Sequence, residues 1–146
     1  MISPNGQWIA YVSKETGRPE VYVQRFPELG FRQQISTDGG TDPTWSPDGR
    51  ALFYLTRTLG GGPDEMAVVT IDPGPPLSVG APEVLFDHAP YQRRLAQGRQ
   101  YDVDPDGQRF LMMLDAAAGD GGAVLRRQIN VVLNWFEELN ARVPVN

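Results

Sequence analysis

Short apolar runs, alternating or continuous, recur along the chain between clusters of Gly, Pro, Asp, Asn and Ser. Residues Trp8 to Ser13, Glu20 to Phe26, Arg32 to Ser36, Ala51 to Thr56, Met66 to Ile71, Glu83 to Asp87, Arg109 to Leu114 and Ile129 to Leu133 read as strands, rich in β-branched and aromatic side chains. Thr44-Trp45 and Gln100 to Asp104 are shorter strands that lead into turns. In Glu20-Val21-Tyr22-Val23, a period of two puts Val21 and Val23 on one face. The runs fall into groups of three, four and three. Only one segment changes period. Trp135, Leu139 and Val143 recur at helical spacing, Asn134 and Glu137 form a capping box, and Pro144 is the stop, so a short helix over 135–143 is predicted as a terminal cap on the sheet edge.

The groups share a motif. Ser3-Pro4-Asn5-Gly6 precedes the first strand, Ser46-Pro47-Asp48-Gly49 the strand at 51, and Asp104-Pro105-Asp106-Gly107 the strand at 109. Pro fixes φ at the second turn position, Asp or Asn suits the third, and Gly at the fourth adopts positive φ without a steric penalty. One such turn is ordinary. Three, each followed by the same kind of apolar strand, define a structural repeat, with the spacing expected of a four-stranded propeller blade between the first two copies. The longer second interval places insertions at Gly60-Gly61-Gly62-Pro63 and Asp72-Pro73-Gly74-Pro75-Pro76.

Composition narrows the field. Gly and Pro supply 29 of 146 residues, which favours many short strands over long helices, while 3 Trp, 5 Tyr and 6 Phe supply a core. With no cysteine, thiol catalysis, disulfide scaffolds and cysteine-ligated metals fall away. His88 is the only histidine and reads as a loop residue. A net charge of −5 disfavours nucleic acid as a partner. Neither a membrane-spanning run nor a signal peptide is visible, so the expectation is a soluble, cytoplasmic β domain.

The full Trp45-Ser46-Pro47-Asp48-Gly49 string and its two variants resemble the WD40-like, TolB-type (PD40) β-propeller repeat. The stretch from Tyr101 to Pro144 is similar to the C-terminal end of propellers that follow bacterial serine/threonine kinase domains. The resemblance implies an all-β fold: a partial propeller of about three four-stranded blades, over residues 1–41, 42–88 and 97–134, with the C-terminal helix after them. The first blade lacks its innermost strand and the last its outermost. Two copies would supply six blades, so a homodimer is expected, closed into a ring at two identical junctions.

Catalytic motifs are missing from the sequence. Gly60-Gly61-Gly62 has no following Lys, so it is a hairpin loop and not a phosphate loop, and there is no Gly-x-Ser-x-Gly elbow. Glu137 and Glu138 are neighbours on the predicted helix and cannot face one another. Asp102-Val103-Asp104-Pro105-Asp106-Gly107 matches the opening of a calcium loop, but the loop's twelfth position is Met113, so Asp102, Asp104 and Asp106 are only weak calcium candidates. No cofactor is expected. The resemblance points instead to a non-enzymatic module that binds a protein or small ligand at the mouth of a central channel. By repeat position, Asp42, Tyr91, Arg93, Arg94 and Asp102 would lie there. Two other readings stand beside it: a hydrolase or lyase whose site forms only where two chains meet, and a truncated piece of a larger kinase-like or TolB-like protein.

Overall fold

The structure is a computed structural model that describes residues 1–56, 64–74, 76–87, 101–114 and 128–132. Among these residues every regular element is a strand. They are β1 (Trp8–Ser13), β2 (Glu20–Arg25), β3 (Arg32–Gln34), β4 (Gly40–Trp45), β5 (Ala51–Thr56), β6 (Glu65–Asp72), β7 (Ser78–Val79), β8 (Glu83–Asp87), β9 (Tyr101–Val103), β10 (Phe110–Leu114) and β11 (Gln128–Val132). The fold is all-β, and the strand positions follow the apolar runs closely. The predicted helix, the Gly60 loop and His88 lie outside the described residues.

The chain divides into two compact units, Met1–His88 and Ala89–Asn146. The first holds two antiparallel sheets. Strands β1, β2 and β3 pair in sequence order. In the second sheet the order is β4-β5-β6, and both β7 and β8 pair with the far edge of β6. That edge takes two partners because β6 is 8 residues long. Strand β8 covers Glu65 to Val68, and the two-residue β7 covers Ile71 and Asp72. In the second unit, β9, β10 and β11 form a three-stranded antiparallel sheet ordered β11-β10-β9.

Alternation drives the packing of the first unit. Trp8 and Ala10 of β1, Val21 and Val23 of β2, and Ile35 just after β3 turn towards Trp45, Leu52, Tyr54, Ala67, Val69 and Ile71 of the second sheet, forming one buried cluster. The two indoles tie the sheets to distant backbone. Trp8 Nε1 donates to Pro73 O at 3.3 Å, and Trp45 Nε1 donates to Met1 O at 3.3 Å. On the opposite face of the first sheet, Tyr11 and Tyr22 stack at 5.9 Å and the Arg32 guanidinium lies 4.1 Å from the Tyr22 ring centroid. Glu15 pairs with that Arg32.

The first sheet has no full innermost strand. One bridge, Ile2 with Ile9, stands in its place beside β1. Ala10 N donates to Met1 O at 2.7 Å and the terminal ammonium donates to Ala10 O at 2.5 Å.

Three turns of one kind lead into β1, β5 and β10. Gly6, Gly49 and Gly107 take φ of 70°, 72° and 73°, and each donates its N–H to the carbonyl three residues back. Only glycine enters that region freely. In the first two turns the serine hydroxyl donates to the Asn or Asp side chain and accepts from the strand's first amide: Ser3 to Asn5 at 2.7 Å and from Trp8 N at 3.0 Å, Ser46 to Asp48 at 2.6 Å and from Ala51 N at 2.8 Å.

Candidate binding site

The strand registers gather one end of the first unit. Ser13 pairs with Glu20, Gly40 with Thr56, Leu55 with Met66, and Glu65 with Asp87. The connection from β1 to β2, the entry into β4 and the ends of β5, β6 and β8 therefore share that end. Gly40 N donates to Pro19 O at 2.9 Å, which stitches the two sheets together there. The serine turns lie at the opposite end of the same strands.

A buried carboxylate organises the entry to β4. Glu20 is fully buried. Its Oε1 accepts from Arg18 Nε at 2.6 Å, its Oε2 accepts from Ser36 Oγ, and Gly39 N donates to the two oxygens at 3.1 and 3.2 Å. The Ser36 hydroxyl also accepts from Val21 N at 2.8 Å. Arg18 continues the network to Thr37 O and to Asp38 Oδ1 at 3.5 Å. A buried charge is tolerated only when paired and hydrogen-bonded, and here both conditions are met. Burial, and then the negative charge of Glu20, push the Tyr54 hydroxyl pKa above its ordinary value. A serine beside a carboxylate invites a catalytic reading, but both side chains are sealed from solvent, so no substrate reaches the hydroxyl. The cluster holds the 36–39 loop in place.

That loop delivers the chain into a strained strand. Asp42 has φ of 53°, a conformation that L residues other than Asn and Asp seldom adopt. It sits in a register shift between Thr41 and Thr44, next to Pro43. Pro43 has no N–H for the ladder, so β4 bulges where the proline would otherwise break the pairing. Thr44 Oγ1 donates to Asp42 O at 3.4 Å within the bulge. A bulge re-aims side chains, and this one re-aims Asp42, half-buried at the end of the unit where the Glu20 network lies.

The sequence-predicted residues divide as follows. Asp42 is placed in this bulge. Tyr91, Arg93 and Arg94 lie outside the described residues. Asp102 is in β9 of the second unit, exposed and opposite Leu111, and its Oδ1 accepts from Val103 N at 3.0 Å. In the string that resembles a calcium loop, Arg109 takes the carboxylates: its guanidinium lies 2.5 Å from Asp104 Oδ2 and 3.3 Å from Asp106 Oδ2. Asp106 Oδ1 accepts from Gln108 N at 2.9 Å. Among the described residues no group of three His, Asp or Glu side chains is placed to hold a metal ion.

Glu20, Arg18 and Ser36 escape a reading of the sequence. A Glu opening a strand looks solvent-facing, and its partners lie 16 to 19 residues further on. The one local signal is Arg18, two residues earlier.

No protein-family model matches the chain. Among solved structures, it is similar to a protein described as TolB from Agrobacterium tumefaciens, with a TM-score of 0.56, 16% identity, and coverage of 90% of this chain and 43% of that one. It also aligns with TolB from Acinetobacter baumannii, with a TM-score of 0.42, 17% identity, and coverage of 91% and 42%. The first match carries the fold assignment: the chain has a TolB-type β-propeller fold. It spans less than half the length of the solved structures it matches. Among the described residues no helix is long and apolar enough to cross a membrane.

Proposed function

We propose that the chain is a non-catalytic propeller segment that binds a partner or small ligand at the end of the first unit where β4 begins, with Asp42 as a contact residue. The observation that carries the reading is the strained Asp42 bulge beside a sealed carboxylate network. Strain of this kind persists only where surrounding structure over-determines it, and it gathers at sites of recognition. The propeller fold supports the reading in general terms, because propellers present their connecting loops to ligands. Tyr91, Arg93, Arg94 and Asp102 are proposed separately, as binding candidates of the second unit, from their repeat positions in the sequence alone.

The decisive experiment maps the surface by cross-linking mass spectrometry after affinity capture, with Asp42→Ala as the comparison. Cross-links at residues 36–42 that vanish in D42A support the site. Cross-links unaffected by D42A, or turnover of ester, peptide or phosphate substrates that depends on a particular residue, would sink it. The homodimer belongs to this proposal too, as the arrangement in which the repeats of two copies would close one ring. Light scattering at micromolar concentration is expected to give twice the mass of 16.1 kDa.

A further inference from the structure

Asn5 is the only asparagine followed by glycine. It lies in the first of the three repeated turns, where the second and third copies carry Asp48 and Asp106. Both Asn5 and Gly6 are exposed, and a Cβ built on Gly6 would meet nothing within 4 Å. Gly6 itself therefore carries no side chain and has open space beside its Cα, so nothing there hinders a ring closing through its nitrogen. Asn5 uses only its oxygen. Oδ1 accepts from Ser3 Oγ at 2.7 Å and from Gln7 N at 3.1 Å. Asp48 Oδ1 makes the same pair of bonds, from Ser46 Oγ at 2.6 Å and from Arg50 N at 3.0 Å. The side-chain nitrogen of Asn5 takes no part in the turn.

We propose that Asn5–Gly6 is a self-modifying site, at which the Gly6 amide nitrogen displaces ammonia from Asn5 and water then converts the turn to an aspartyl or isoaspartyl form. The bond from Gly6 N to Asn5 Cγ forms and the Cγ–Nδ2 bond breaks. The Gly6 amide proton leaves with the departing nitrogen as ammonia. Water then adds across one of the two imide C–N bonds. Addition at Cγ leaves aspartate, and addition at the α-carbonyl leaves isoaspartate. Water is the sole co-reactant, and nothing is oxidised or reduced.

The fold gates the first step. Gly6 N donates to Ser3 O at 2.9 Å and Ser3 N donates to Trp8 O at 2.8 Å, so the turn must open locally before the nitrogen can attack. The fold also separates the products. Aspartate keeps both bonds to Oδ1, now charge-assisted, and makes the first turn a chemical copy of the second. Isoaspartate inserts one more carbon into the backbone and spoils the Ser3–Trp8 closure. Trp8 is the residue that then suffers, since its indole reaches across to Pro73.

The test uses the whole protein held at neutral pH, with tryptic digestion and mass spectrometry. Cleavage after Lys14 isolates residues 1–14 as one peptide. The expected result is steady conversion of that peptide, faster in urea than in buffer, with the aspartyl form enriched in the native sample. Asn5→Asp supplies the product standard. Asn5→Ser, which keeps a hydroxyl acceptor but has no amide to lose, is expected to show no conversion. A native sample that stays unconverted while the urea sample reacts would overturn the proposal. So would conversion at Asn5 no faster than at Asn134 or Asn140.

Discussion

Ser46 performs two functions with one oxygen, donating to Asp48 and accepting from Ala51 N. Removing it leaves a strand amide and a carboxylate without their partner. Ser46→Ala is expected to cost about 1–2 kcal/mol, read as a shift in urea midpoint. Partial burial raises the Asp48 pKa, but the Ser46 hydroxyl, the Arg50 amide and the Arg50 charge outweigh it and hold the carboxyl below its ordinary value. A lowered folded pKa stabilises above the unfolded value and loses that contribution as pH falls. The contribution should therefore be present above about pH 4 and fade below it. In Asp48→Asn that part of the acid dependence should disappear from a pH series of thermal unfolding curves. The third turn shows what replaces the serine: Asp104 has no hydroxyl to share, so Arg109 bridges the two carboxylates instead.

At the scale of elements, β4 concentrates the constraints. A Cβ on Gly40 would lie 2.5 Å from Ser36 Oγ and 2.8 Å from Ser36 Cβ, closer than packed atoms approach. Gly40→Ala is expected to destabilise by about 1–3 kcal/mol, because Ser36 is itself held by Glu20 and Val21 and cannot yield. Glu20→Gln keeps the shape and removes the charge, leaving Arg18 and Gly39 short of an acceptor. The expected loss is about 3 kcal/mol, measured by denaturant titration. The strands β1, β5 and β10 were legible from their turns and apolar runs, since both signals are local. Strand β4 was legible only at Thr44-Trp45. Pro43 speaks against pairing, and the bulge that accommodates it depends on β5. Strand β7 carries no pattern at all. It pairs because β8 leaves the end of β6 uncovered. The Glu20 network stayed hidden for a related reason, as its members meet only when two sheets pack.

For the whole molecule, the first unit has what an independent domain needs. Its two sheets share one buried cluster, and Met1–His88 is compact by itself. A fragment of residues 1–88 is expected to unfold cooperatively, with circular dichroism and fluorescence transitions that coincide. Separate transitions would show that the core depends on the rest of the chain. The repeat in the sequence already marked two turns inside this unit and one beyond it. Ring closure is not written in any local pattern, because a repeat specifies only its neighbour contacts.

The two indole hydrogen bonds also make the first unit self-reporting in light. Trp8 and Trp45 are 2% and 4% exposed, both lie in the cluster between the sheets, and Trp135 is the only other tryptophan. In a fragment ending at residue 88, all indole emission therefore arises from the contact between the two sheets. Emission from that pair should be blue while the sheets are docked and move to the red as water reaches the rings. A sheet that slips away from its neighbour while keeping its own strands would change colour without changing its far-ultraviolet signal, so one cuvette separates loss of docking from loss of strands.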